Sequence, residues 1–143
     1  MAAEPRLDRD VVRTALIDIL ADETAVLAVY LFGSVARGTA GPLSDIDVGL
    51  LLEGPQKGHE SVVDRATHAL RRRLRTSRVD VLSLADAPMP LRYRVVRDGT
   101  LVLCRDAAAR QRFIAASVLH YLDFQPLRER AFAVQRGAIL ADR

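Results

Sequence analysis

With 143 residues and a mass of 15.8 kDa, the chain is sized for one domain, residues 1–143, and not for two. Half of it is hydrophobic and 27% is charged, which excludes an intrinsically disordered chain. No apolar run approaches the roughly eighteen residues of a membrane span. One cysteine, Cys104, excludes an internal disulfide and a cysteine-built zinc site. The first residues, Met1-Ala2-Ala3-Glu4-Pro5, lack the basic-then-apolar layout of a signal peptide, so a cytoplasmic location is expected.

The formal charge of +3 and the pI near 9.6 come from 20 arginines and one lysine, Lys57. Arg71, Arg72, Arg73, Arg75 and Arg78 form a cluster. Two readings apply to it: a nucleic-acid surface, or the solvated face and C-terminal end of a helix, where cations offset the negative end of the dipole. No aromatic residues interleave with the cluster as stacking platforms, which favours the second reading.

In chain order, Asp8 to Ala21 reads as a helix with Val11, Val12, Ala15, Leu16, Ile19 and Leu20 at helical spacing. Ala25 to Phe32 is an unbroken apolar run of strand length and suits a strand buried on both faces. Gly33 ends it. Gly38, Gly41 and Pro42 punctuate a loop, and Asp45 to Leu52 reads as a second strand. After Gly54, Pro55 and Gly58, a helix is expected from Glu60 to Arg75, then a short strand from Arg78 to Leu84. Pro88 and Pro90 introduce a short helix, Leu91 to Arg97, and Asp98-Gly99 turns the chain into a strand at Thr100 to Cys104. From Asp106, a candidate cap, the chain reads as helical to its end, with Pro126 expected to break or kink the helix. The fold class that follows is α/β: a small mixed sheet flanked by helices, with a helical C-terminal region over about 106–143.

The informative stretch is Leu31 to Val48, LFGSVARGTAGPLSDIDV. A buried strand ends in Gly33-Ser34, ten residues follow, and the next strand opens with Asp45 and Asp47. Side chains two apart on a strand share a face, so both carboxylates project together while Ile46 and Val48 turn to the core. Carboxylates so close repel unless a cation lies between them, and an all-oxygen set suits Mg²⁺. Gly33 permits close backbone approach, the Ser34 hydroxyl and nearby N–H groups suit phosphate oxygens, and Arg37 supplies compensating charge. A metal pair beside a phosphate cradle is an arrangement for nucleotidyl transfer. Asp80, between two valines of the third strand, is the candidate third carboxylate if its strand lies beside that of Asp47. Otherwise it is an acid paired with an arginine.

Gly33-Ser34, ten residues, then Asp45-x-Asp47 resembles the signature of the DNA polymerase β-type nucleotidyltransferase superfamily. With RVDVLSL following, the chain is similar to its minimal (MNT) branch. The segment APMPLRYRVVRDGTLVLCRD and Tyr121 to Phe124 resemble the MNT antitoxins that accompany HEPN ribonuclease toxins. The resemblance implies a nucleotidyltransferase fold and transfer of AMP from ATP-Mg²⁺ to a tyrosine hydroxyl of a HEPN-type toxin, with the two proteins in a hetero-oligomer. It implies that Asp45 and Asp47 bind two metal ions, and that Asp80 holds the one nearest the acceptor. Gly33 and Ser34 would bind the β- and γ-phosphates, and Arg37 and Ser44 would contact phosphate or shape the loop.

Two further readings stand beside it: an antitoxin that neutralises by binding alone, and a transferase acting on a small molecule such as an aminoglycoside. Tyr121, Phe124 and Phe132 are either a docking surface or core packing. His59, His68 and His120 lack ligand spacing and are assigned no metal. Cys104 reads as a buried small hydrophobe, and neither a membrane nor a nucleic acid is an expected partner.

Overall fold

The computed structural model of the chain describes residues 7–41 and 44–141, with side chains to residue 124. Among the described residues, four strands form one mixed sheet of order β3-β2-β1-β4, in which β1 (Val26–Phe32) pairs antiparallel with β2 (Ile46–Leu52) and β4 (Thr100–Cys104). The edge strand β3 (Val79–Ser83) runs parallel to β2, with α3 (His59–Leu74) as the crossover between them.

Strand alternation divides the core between the two faces of the sheet. Val29 and Leu31 of β1, Ile46, Val48 and Leu50 of β2, and Val79 and Val81 of β3 meet α1 (Arg9–Leu20) and α3. Helix α1 forms because Val12, Ala15, Leu16 and Leu20 recur on one face, and because Asp8 caps it by accepting the Val11 N–H at 2.9 Å. Ala28, Tyr30 and Leu51 turn the other way, toward α4 (Met89–Asp98) and α5 (Ala107–Ala141). This second face is only partly apolar, because its positions on β2 and β3 include Asp47 and Asp80.

The structure departs from the expected elements at four places. Gly33 does not open a loop. It starts a short helix, α2 (Gly33–Arg37), whose ends are both glycines in the left-handed region, Gly33 at φ 75° and Gly38 at φ 73°. The N–H of Gly38 bonds to the Val35 carbonyl and that of Thr39 to the Ser34 carbonyl, a Schellman closure, while buried Val35 and Ala36 anchor the turn in the core. Strand β2 begins at Ile46, leaving Asp45 just outside it. Helix α4 starts at Met89, earlier than expected, because Pro90 is tolerated in a first turn.

Pro126 does not break the last helix: α5 is continuous from Ala107 to Ala141. The proline forfeits one backbone hydrogen bond, and the strong helix formers that follow it carry the helix on. Asp106 caps α5 as expected, accepting the Ala109 N–H at 2.9 Å. Cys104 ends β4 half-buried, packed beside the Tyr30 cluster and not enclosed.

Candidate active site

Asp47 and Asp80 are register partners across the parallel β2–β3 ladder. Successive strands thus bring together two carboxylates 33 positions apart in sequence, both on the sheet face turned toward α4. Phe32 is the partner of Asp47 on its other side, so Phe32, Asp47 and Asp80 form a row across three strands. Gly33 follows Phe32 directly, and a Cβ on it would overlap Oδ2 of Asp47. Asp45, exposed just before β2, lies near enough for its charge to act on Asp47.

The electrostatics follow from that crowding. Burial pushes the Asp47 carboxyl above its ordinary value, the charges of Asp80 and Asp45 push it further, and Arg37 pulls it partly back. A divalent cation among these oxygens would remove the repulsion, so the donor set fits one. Among the described residues no three acidic, histidine or cysteine side chains come together as a group that could hold a metal ion by themselves. An open arrangement of carboxylates suits Mg²⁺, which keeps waters or phosphate oxygens in its shell instead of filling a protein cage.

The carboxylates open onto a cleft of about 470 Å³, a size suited to a small ligand. Gly33, Ala36 and Arg37 line it from α2, and Leu91, Arg94, Val95 and Asp98 line it from α4. No side chain caps the start of α2, so its first N–H groups have no partner within the helix. Ser34 lies in that first turn, half-buried. Ser44 is placed differently: its hydroxyl accepts the Gly41 N–H at 2.9 Å and its own N–H returns to the Gly41 carbonyl, so it shapes the loop before β2.

Sequence reasoning missed the α4 wall. Leu91, Arg94, Val95 and Asp98 recur at i, i+3, i+4 and i+7, a single helix face whose mixed polarity was the available signal. The Arg71–Arg78 cluster is exposed, at the end of α3 and the turn beyond it, with Arg73 bonded to Asp18 and Arg71 to the Val79 carbonyl. His59 is buried, between the Ser83 hydroxyl at 2.9 Å and the Gly54 carbonyl at 3.1 Å. Tyr121 stacks on Tyr93 of α4 with ring centroids 3.8 Å apart, and Phe124 is half-buried. Phe132 lies outside the described side chains.

Residues 14–108 match the family described as Polymerase beta, Nucleotidyltransferase. The chain belongs to that nucleotidyltransferase family. A structure described as a minimal nucleotidyltransferase shares 30% identity with it, covering 67% of this chain and 97% of that one at a TM-score of 0.54. Two toxin–antitoxin structures share the fold. One, with AMP-PNP, is 24% identical and covers 85% of this chain and 95% of its own, with a TM-score of 0.72. The other, a tri-AMPylated Shewanella oneidensis HEPN toxin in complex with MNT antitoxin, is 21% identical and covers 87% and 95%, with a TM-score of 0.66. No curated protein matches the sequence significantly. Among the described residues of this nucleotidyltransferase, no helix is long and apolar enough to cross a membrane.

Proposed function

We propose that this nucleotidyltransferase moves AMP from ATP to a tyrosine hydroxyl of a HEPN-type toxin and thereby acts as its antitoxin in the cytoplasm. The observation that carries the reading is the register pairing of Asp47 with Asp80 at the mouth of a cleft floored by Gly33. The likeness to a toxin–antitoxin structure holding AMP-PNP and to a complex with a tri-AMPylated HEPN toxin supports the choice of nucleotide and acceptor.

In this reaction the tyrosine oxygen forms a bond to the α-phosphorus, the bond from that phosphorus to the bridging oxygen breaks, and pyrophosphate leaves. Asp45 and Asp47 would hold two divalent cations with Asp80 as a third ligand; when bound, these supply charge neutralisation on the phosphoryl oxygens and lower the pKa of the acceptor hydroxyl. Asp80, itself exposed on the edge strand β3, would accept the proton of the incoming hydroxyl. Gly33 and Ser34 receive the terminal phosphates on the open N–H groups of α2, with Arg37 offsetting their charge. Ser44 acts through the loop it closes.

In this reading the toxin brings the acceptor tyrosine to the cleft by docking on the chain. Exposed Leu119 and Leu122, flanking Tyr121 on α5, offer an apolar face for that docking. The test is the intact mass of the toxin after incubation with this protein, ATP and Mg²⁺. The expected result is an AMP-sized increase, absent when Asp45 and Asp47 are both replaced by Asn. An unchanged mass in a stable complex would move the assignment to neutralisation by binding alone.

A further inference from the structure

Three acidic and two basic residues line the cleft, and of these Asp47, Asp80, Arg37 and Arg94 make no hydrogen bonds to one another. Asp47 and Asp80 lie on the sheet side, while Arg37 at the end of α2 and Arg94 on α4 lie on the helix side. Among the described residues neither arginine donates a hydrogen bond or joins a salt bridge. The other arginines of the same helix are engaged. Arg92 donates to the Ala85 and Ala87 carbonyls at 3.0 and 3.2 Å. Arg97 holds Asp98 with both forks, at 3.0 and 2.8 Å.

The pairing of Arg97 with Asp98 determines what Arg94 is free to do. Asp98 sits four residues after Arg94 on the cleft-lining face and would ordinarily be its ion-pair partner. Arg97 binds both oxygens of that carboxylate instead, and its hydrogen bonds do most to hold the Asp98 carboxyl below its ordinary value, with smaller pulls from Arg37 and Arg94. The Arg94 guanidinium therefore faces the cleft with its donors open. It lies one turn from Asp98, on whose carboxyl its charge and that of Arg37 both act, and one turn from Leu91, whose side chain belongs to the apolar wall.

The geometry points to Arg94 as a substrate-contacting residue that grips the terminal phosphates of a nucleoside triphosphate from the wall opposite Asp47 and Asp80. This rests on the nucleotidyl-transfer reading above. The α-phosphate must sit at the carboxylates for transfer to occur, which leaves the β- and γ-phosphates to the cleft-lining cations Arg37 and Arg94. A planar guanidinium matches phosphate oxygens with two parallel donors, which a lysine does not. Charge grows on pyrophosphate as the α–β bridging bond breaks, so a fixed cation there favours the transition state over the bound substrate.

The test is calorimetric titration of the full chain with Mg²⁺ and either an α,β-methylene analogue of ATP, which is not cleaved, or AMP. Arg94→Ala should weaken binding of the analogue about tenfold or more and leave AMP binding unchanged. Arg94→Lys should recover part of the loss. The site is exposed, so both variants should melt with the parent protein, which a thermal scan checks. Equal affinity of Arg94→Ala and parent for the analogue overturns the assignment, as does an equal loss for the analogue and AMP. If the parent binds neither ligand, the nucleotide-site reading itself falls and takes this assignment with it.

Discussion

The Asp47 carboxylate occupies the space that a side chain on Gly33 would fill. Gly33 also sits at φ 75°, where an L-residue is strained. Gly33→Ala therefore meets two penalties, backbone strain and displacement of Asp47, and should destabilise the protein by about 2 kcal/mol. Chemical denaturation measures that cost. Transfer activity should fall further than the stability loss explains, because the displaced group is the central carboxylate. Wild-type activity in a folded Gly33→Ala protein would show that Asp47 need not hold this position.

Asp47 should cost the protein stability at neutral pH. Its carboxyl is raised above the ordinary value of 3.8, first by burial and then by Asp80 and Asp45. Below that ordinary value it is protonated in both folded and unfolded chains and contributes nothing. As pH rises through the window up to the raised value, the unfolded chain has released a proton that the native chain keeps, so stability falls. Asp47→Asn should accordingly be the more stable protein at pH 7, by about 0.5 kcal/mol after solvent screening, with the difference closing below pH ~4. Added Mg²⁺ should raise the melting temperature of the parent more than that of the variant. A variant less stable than the parent at pH 7 would contradict the repulsion.

Much of this arrangement was legible in the sequence because strand periodicity is short and local. Asp47 and Asp80 could be assigned to faces, although Asp45 falls just outside its expected strand, and the apolar runs located β1, β2 and β4 closely. The adjacency of Asp47 and Asp80 was not legible, since it depends on β3 returning parallel to β2 after α3, a long-range pairing. Helix α2 was hidden for a different reason. Glycines at both ends of five residues read as loop punctuation, whereas here they supply the left-handed bends that start and stop a helical turn. Arg94 was missed because its role depends on Arg97 occupying Asp98, a choice between neighbours that spacing does not settle.

Arg105 should be a structural clamp. One guanidinium nitrogen donates to the Glu23 and Val26 carbonyls at 2.8 and 3.0 Å, and another to those of Leu20 and Ala21 at 2.6 and 2.9 Å. It thus satisfies carbonyls at the C-terminal end of α1 and ties the end of β4 to the start of β1. Arg105→Ala should cost about 1–2 kcal/mol in urea denaturation. Arg105→Lys should recover little, because one ammonium cannot reproduce the fork. Full recovery by lysine would mean that charge at the helix end, and not the four directed bonds, supplies the stability.

Arg75 closes α3 at φ 53°, ψ 42°, the left-handed position that helices most often give to glycine. Its N–H bonds to the Arg71 carbonyl, a bond that any residue at this position would make. The side chain is exposed, so nothing in its packing offsets the backbone cost. Arg75→Gly should therefore raise stability by about 1 kcal/mol, despite the greater freedom glycine brings to the unfolded chain. In a chain of this size that is a melting temperature higher by roughly 3 °C. Nucleotide binding should be unaffected, since Arg75 does not line the cleft. A lower melting temperature for Arg75→Gly would mean that the arginine side chain contributes more to the end of α3 than its conformation costs.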